Sequence, residues 1–125
     1  MTQEEIREGN RAIMFFDGAL NVTIPIMGEL QKAIKYKDSY YPKWNIPNFH
    51  LDWNLLMPVV EKINNLGGYE VHISPHTITI KGEKAPIAKT DIYDLFTIVG
   101  LNYSLIEATW NTVVQFIKWY NQQSH

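Results

Sequence analysis

The chain has 125 residues, a formal net charge of −2 and 46% apolar residues, which is typical of a single globular domain spanning residues 1–125. It has no cysteine, so disulfides, thiolate catalysis and cysteine-ligated zinc are excluded and a reducing compartment is favoured. The basic residues are scattered, which argues against nucleic-acid binding. No apolar run approaches the roughly 20 residues that span a bilayer. We therefore expect a soluble, cytoplasmic protein without membrane association.

The first part of the chain predicts a helix and a short strand. A capping-box pattern at residues 2–5 opens a predicted helix over 3–16. Residues 20–24 alternate and are β-branched, which predicts a strand that Pro25 either ends or confines to a sheet edge. Residues 27–37 have helical spacing, but the run is too short to assign.

The middle of the chain predicts a helix followed by a hairpin. Asp52 is a good N-cap for a helix that begins at Trp53, where Pro58 would kink it; alternatively the helix begins at Met57, where Pro58 takes the first helical position. Residues 69–81 alternate around a short turn and predict an antiparallel hairpin.

The alternation in the second strand of this hairpin directs Ile78 and Ile80 towards the core and Thr79 outwards. Residues 82–89 are predicted to form a loop. Thr90 or Asp91 would then cap a short helix.

A second capping box at residues 104–107 predicts the longest helix, over 105–121. The elements together predict an α+β fold. A small antiparallel sheet of two or three strands would pack in two layers against three to four helices.

The stretch from Tyr40 to Trp53 holds five aromatic rings, two prolines, one lysine and one histidine. Its prolines favour an irregular but rigid connection. Phe49, Leu51 and Trp53 lead into the next helix, and we interpret them as structural. Rings beside amide and cationic groups are typical of surfaces that stack a nucleobase or anchor a protein. The candidate ligand-binding residues are Tyr40, Tyr41, Lys43, Trp44, Asn45, Asn48 and His50.

Other clusters predict no catalytic or metal-binding residue and no cofactor. His72 and His76 flank the hairpin turn, but a tight turn directs them apart. Asp91 and Asp94 with Glu107 could form an oxygen-rich site for a divalent ion, but Asp91 at a predicted helix start is adequately explained by capping and the helix dipole.

Three blocks of the sequence resemble small uncharacterised proteins carried by phages and prophages of gut bacteria. These blocks are Thr2–Asn10, the run Tyr41–Trp44 followed by His50–Ile63, and Val114–Asn121. The resemblance brings no catalytic residue with it. It implies an accessory protein that binds and disables a host factor or a host signalling molecule.

The leading interpretation is a non-enzymatic, phage-accessory binding protein in the host cytoplasm. It would engage a host protein, or a second copy of itself as a homodimer, through the aromatic segment. The alternative is an anti-defence sponge for a nucleotide-type signal, with the rings stacking the base and Lys43, His50 or Arg11 near the phosphate. A third, weaker alternative is a small hydrolase that uses His50 and Asp52.

Overall fold

A computed structural model of the protein describes residues 2–92 and 104–123. Three helices and six strands follow one another in this part of the chain. Their order is α1 (Gln3–Phe16), β1 (Leu20–Ile26), β2 (Glu29–Tyr36), β3 (Ser39–Tyr41), α2 (Trp53–Asn64), β4 (Glu70–Ile73), β5 (Thr77–Lys81), β6 (Pro86–Asp91) and α3 (Leu105–Asn121). Sheet A consists of β1, β2 and β3, and sheet B of β4, β5 and β6, both antiparallel. The α+β class is confirmed, with two small sheets where one was predicted.

All three helices begin at the predicted caps. The Thr2 and Ser104 hydroxyls accept hydrogen bonds from the backbone three residues on, at 3.1 and 3.2 Å. Asp52 Oδ1 accepts from the Asn54 amide at 2.9 Å, so α2 begins at Trp53. Pro58 therefore lies inside the helix, on its exposed side, where it removes one backbone hydrogen bond.

The segment with helical spacing is a strand. Strand β1 pairs with β2 along its whole length, from Ile26 opposite Glu29 to Leu20 opposite Lys35. The two-residue turn between them, at Met27 and Gly28, has positive φ angles of 51° and 82°, which suit the twist of an antiparallel hairpin. Strand β1 continues past its proline because it is an edge strand, where a missing N–H is tolerated.

The predicted loop over 82–89 is wrong in its second half, because β6 begins at Pro86. Thr90 and Asp91 therefore belong to a strand and do not cap a helix. Thr112 Oγ1 of α3 donates to Thr90 Oγ1 at 2.8 Å, and this buried contact docks β6 on α3. The short helix predicted after β6 lies outside the described residues.

Strand β5 is the central strand of sheet B. Ile78 and Ile80 are fully buried, as predicted. Thr79 lies on the other face of β5, as predicted, but it is buried there and not exposed to solvent. Its cross-strand neighbours are His72 and Lys89, and these longer side chains flank the small threonine on both sides.

Helix α3 lies against β5 and β6 of sheet B and against α1. The core is formed by buried apolar side chains from all three helices and from both sheets. Its largest fully buried members are Phe49, Phe116, Ile13, Met14, Ile34, Leu56, Ile63, Ile78, Ile80 and Ile117.

Sheet A is joined to α1 and α2 by a polar contact at the end of α1. The Tyr36 hydroxyl of β2 donates a short hydrogen bond to the Asp17 carboxylate, which also lies 3.7 Å from Lys62 Nζ of α2. Lys62 Nζ donates to the Phe16 carbonyl at 2.9 Å. Burial, followed by this contact with Asp17, raises the pKa of Tyr36 above its usual range. Asp17 therefore holds three elements together.

Candidate functional site

The aromatic segment is divided by the fold between core and surface. Phe49 is fully buried, with its ring centroid 6.0 Å from that of Tyr36, so its structural role is confirmed. Trp53 is half-buried against the core. Leu51 was also expected to be structural, but it is exposed. It lies in a tight turn closed by the hydrogen bond from its amide to the Asn48 carbonyl, at 3.1 Å, and this turn lies on the surface.

A turn places Trp44 on the surface. The Asn45 amide donates to the Pro42 carbonyl at 3.1 Å, which makes Lys43 and Trp44 the two central residues of a four-residue turn. The Trp44 side chain is 76% exposed, whereas Ile46 just beyond it is buried and anchors the turn. An indole this exposed offers a ring face for stacking.

A buried hydrogen-bond relay lies beside this turn. Trp110 Nε1 of α3 donates to Asn10 Oδ1 of α1 at 2.8 Å, and Asn10 Nδ2 lies 3.1 Å from His50 Nδ1. Asn10 is only 2% exposed. An indole N–H can only donate, so the Asn10 oxygen must face Trp110 and the Asn10 amide group must donate to His50. The relay therefore has one direction, from Trp110 through Asn10 to His50.

The relay fixes the protonation of His50. Because Nδ1 accepts the hydrogen bond from Asn10, the neutral ring carries its proton on Nε2. Burial lowers the pKa of His50, and the negative charge of Glu107 only partly opposes this effect. In a protonated ring Nδ1 would also carry a hydrogen, so it could not accept the hydrogen bond from the Asn10 amide group. At neutral pH His50 is thus an uncharged ring whose Nε2–H remains as a donor.

Helix α1 approaches Trp110 closely because residue 9 is glycine. A Cβ atom at Gly9 would lie 2.3 Å from Trp110 Cζ2, which is closer than atoms can pack. The glycine weakens the helix by about 1 kcal/mol relative to alanine. Its position is explained by this contact, which brings Asn10 within reach of the Trp110 indole.

These elements enclose a concavity of about 260 Å³, here called the Trp44 pocket. Its lining residues come from one face of α1 and from the turn around Trp44. They are Gln3, Ile6, Arg7, Asn10, Trp44, Asn45, Ile46, Asn48 and His50. The lining thus combines one exposed indole, one guanidinium, several amides and one neutral imidazole.

The fold brings together four of the seven predicted ligand-binding residues. Trp44, Asn45, Asn48 and His50 line the pocket. The other three lie elsewhere, because β3 and the turn direct them away from the pocket. Tyr40 is exposed on sheet A, with Lys35 Nζ 6.0 Å from its ring centroid.

Tyr41 is half-buried against Tyr36, with ring centroids 6.5 Å apart. Lys43 lines a different concavity, of about 290 Å³, beside β1 and β2. The seven residues expected to form one surface are therefore divided among separate parts of the protein.

Sequence reasoning missed the contribution of α1. Gln3, Arg7 and Asn10 recur at helical spacing on one face of α1, and they interrupt its apolar stripe with polar groups. That interruption is the signal that could have found them. The cation in the pocket is Arg7, whereas the sequence suggested Arg11.

The pair proposed for hydrolysis is not assembled. His50 Nδ1 is engaged by Asn10, and Asp52 accepts the capping hydrogen bond of α2. Among the residues the structure describes, no three histidine or acidic side chains are close enough to share a metal ion. His72 Nε2 instead contacts Glu70 at 3.0 Å on the exposed surface. Asp94 lies outside the described residues.

A wider concavity of about 580 Å³ lies between the end of α2 and the β5–β6 loop. Two of its rings, Tyr69 and Trp119, are edge-on to each other at 6.1 Å. Tyr69 also packs against Phe116, with ring centroids 5.1 Å apart. Both Tyr69 and Trp119 therefore belong to the aromatic side chains that pack against the core. The Trp44 pocket, with its exposed indole and its oriented donors, is the better candidate site.

The fold and the pocket together define an α+β protein with two three-stranded sheets and a polar pocket beside an exposed tryptophan. Compared with protein-family models, with curated proteins and with solved structures, the chain shows no match to any of them. None of the helices among residues 2–92 and 104–123 combines the length and apolar character that crossing a bilayer requires. The resemblance to phage proteins stays a prediction.

Proposed function

We propose that the protein is a non-enzymatic, phage-accessory binding protein that holds a nucleotide-type ligand in the Trp44 pocket. The sequence put a protein partner first, and the pocket favours the small ligand. The pocket is concave and mostly polar, whereas protein interfaces centre on apolar anchors.

The observation that carries this proposal is the pairing of an exposed indole with an oriented donor. Trp44 offers an uncovered ring face, and stacking of a base on an aromatic ring contributes about 1–3 kcal/mol. His50 presents an Nε2–H whose orientation is set by a fully buried asparagine. A donor held in this way loses little freedom when a ligand binds.

The remaining lining residues match the other parts of a nucleotide. Side-chain amides such as Asn45 and Asn48 can both donate to and accept from a base edge. Arg7 lies in the same pocket and forms no ion pair within the described part of the chain, so its guanidinium is available for phosphate. A planar base with an anionic group satisfies all of these residues.

The first experiment is a thermal-shift screen of the purified protein against mononucleotides, cyclic nucleotides and ADP-ribose-type ligands. At least one ligand is expected to raise the melting temperature by several degrees, because a ligand that binds only the folded state stabilises it. Calorimetric titration of that ligand then gives the affinity.

The decisive variant is Trp44→Ala, which removes the stacking ring. It should weaken binding by about tenfold or more. Tyr40→Ala is the matched control, because it removes an exposed ring of the same segment that lies outside the pocket. Equal losses in the two variants, or no ligand in the screen, would contradict the proposal. Ligand turnover that His50→Ala abolishes would also exclude a non-enzymatic role.

A second candidate function is binding of a host protein or of a second copy of the chain. Exposed large side chains at Tyr40, Trp44 and Leu51, all in one segment of the sequence, favour it, because exposed apolar surface often marks a protein interaction site. Light scattering coupled to size exclusion tests the homodimer. A dimer that Trp44→Ala dissociates would support this candidate over the nucleotide.

A further inference from the structure

The β1–β2 hairpin extends beyond the core, and its outer half is exposed. No residue from Pro25 to Gln31 is buried. Met27 at the turn is 99% exposed and Leu30 is 76% exposed. An exposed apolar end on a protein of this size marks an interaction surface.

The strand register assigns these residues to faces. Residues directly opposite each other share a face, and successive residues alternate. One face, here called the lysine face, carries Asn21, Thr23 and Pro25 of β1 opposite Ile34, Lys32 and Leu30 of β2. The opposite face carries Ile24 and Ile26 opposite Gln31 and Glu29, and Leu20 opposite Lys35.

The lysine face contains the concavity that Lys43 lines. Lys32 and Lys43 both border this space of about 290 Å³, and its other lining residues are Asn21, Val22, Thr23 and Ala33. Neither lysine forms an ion pair or hydrogen bond with another residue among those described. The next pair towards the hairpin turn is Pro25 opposite Leu30. An apolar pair of residues therefore lies next to the two lysines.

The charge of this region is opposite to that of the whole chain. Residues 19–49 carry four lysines and only two acidic residues, although the net charge of the protein is −2. Of the two acidic residues, Glu29 lies on the opposite face and Asp38 lies in the β2–β3 turn. The charged side chains of the lysine face are therefore all lysines.

Met27 at the turn is exposed in a backbone conformation that is unusual for a residue with a Cβ. Its φ of 51° is a left-handed conformation, which costs a residue with a Cβ roughly 1–2 kcal/mol and favours glycine or asparagine. Its side chain packs against nothing that would offset this cost, because it is almost completely exposed. Burial of the Met27 side chain against a partner would supply the missing compensation.

We propose that the lysine face docks a protein segment that presents a carboxylate beside an apolar side chain. The carboxylate lies between Lys32 and Lys43, and the apolar side chain covers Leu30 and Met27. This surface is separate from the Trp44 pocket, so it stands whether or not the pocket binds a nucleotide.

Other occupants fit less well. Two copies meeting through the same face would set lysine against lysine, which is unfavourable. A membrane surface with anionic lipids would attract the lysines, but insertion of the hairpin end would also bury the Glu29 carboxylate. A strand added to the outer edge of β1 would meet Pro25, which has no N–H to donate.

The test uses the full chain, labelled with ¹⁵N, and a synthetic peptide of alternating glutamate and leucine. The peptide should shift amide signals of β1 and β2 around Thr23 and Lys32. The same peptide with lysine in place of glutamate should not. Lys32→Glu should weaken binding about tenfold, because it replaces an attraction with a repulsion.

Two variants on the opposite face serve as matched controls. Lys35→Glu makes the same charge change on the same strand, and Leu20→Ser is the counterpart of Leu30→Ser. We expect Leu30→Ser to weaken peptide binding several-fold. Both control variants should leave the affinity for the peptide within about twofold of the wild-type value. All these positions are exposed, and dispersed amide spectra will confirm that each variant is folded.

The proposal is overturned if the acidic peptide gives no shift at millimolar concentration, or if the basic peptide binds equally well. It is also overturned if Lys35→Glu weakens binding as much as Lys32→Glu does. Two further outcomes assign the face to another occupant and overturn the proposal as well. One is sedimentation with phosphatidylglycerol vesicles that Lys32→Glu abolishes, and the other is a dimer that Lys32→Glu dissociates.

Discussion

The residue that determines the chemistry of the pocket is His50, and its state depends on a side chain 40 positions earlier in the sequence. The Trp110 indole can only donate, which orients Asn10, and Asn10 in turn requires an acceptor at His50 Nδ1. This hydrogen bond and burial both favour the neutral ring. The sequence marked His50 as a candidate but paired it with Asp52, because separation along the chain was the only available guide.

The relay predicts how stability depends on pH. The pKa of His50 is lower in the folded protein than its value of about 6.5 in the unfolded chain, so acidification adds protons preferentially to the unfolded state. The free energy of unfolding should therefore be highest above about pH 6.5 and should fall as the pH drops below it. Urea unfolding of the wild type and of His50→Asn between neutral and mildly acidic pH measures this effect.

His50→Asn keeps an acceptor near the Nδ1 position but does not titrate. The difference in stability between the wild type and this variant should shrink as the pH falls. Only the wild type has a histidine at position 50 whose protonation destabilises the folded state. Contributions from groups that the two proteins share cancel in the difference. A difference that stays constant across this range would contradict the assigned state of His50.

At the scale of elements, the contact at Asp17 links sheet A to α1 and α2 in addition to the packing of the core. The Tyr36 hydroxyl and the Lys62 ammonium group both meet this one carboxylate, at the point where α1 ends. The Tyr36 side chain is almost fully buried, so its hydroxyl depends on this acceptor.

Asp17→Ala should lower the free energy of unfolding by about 1–3 kcal/mol, because it leaves a buried hydroxyl without its acceptor. Urea denaturation followed by circular dichroism measures the change. Glu8→Ala is the control, since it removes an exposed carboxylate from the same helix and should change stability by no more than about 0.5 kcal/mol. Similar losses in the two variants would show that Asp17 has no special role.

The elements that sequence reasoning found are those whose signals are local. Capping side chains fix the starts of α1, α2 and α3, and alternation fixes the β4–β5 hairpin. Strand β2 was missed because its spacing also fits a helix, and only its pairing with β1 decides between the two. Strand β6 was missed because Thr90 resembles a helix cap, and its actual partner, Thr112, is 22 residues away.

At the scale of the whole molecule, the fold separates two surfaces that are interleaved in the sequence. Lys43 and Trp44 are neighbours in one turn, yet Lys43 borders the lysine face and Trp44 borders the pocket. The sequence placed Trp44, Asn45, Asn48 and His50 in one candidate segment, because rings and amides cluster there, but it did not indicate the residues of α1 that share their pocket. It could not predict the division, which depends on how α1 and sheet A pack on either side of that segment.

The most direct test of the central claim is a chemical-shift map of the wild-type protein with the best nucleotide from the thermal screen. We expect shifts at the Trp44 indole, at the His50 ring and at the Arg7 side chain. Signals of the β1–β2 hairpin should stay unchanged. Shifts confined to the hairpin, or to the concavity between Gly67 and Trp119, would contradict the account, because the ligand would then bind away from the oriented donor and the exposed ring.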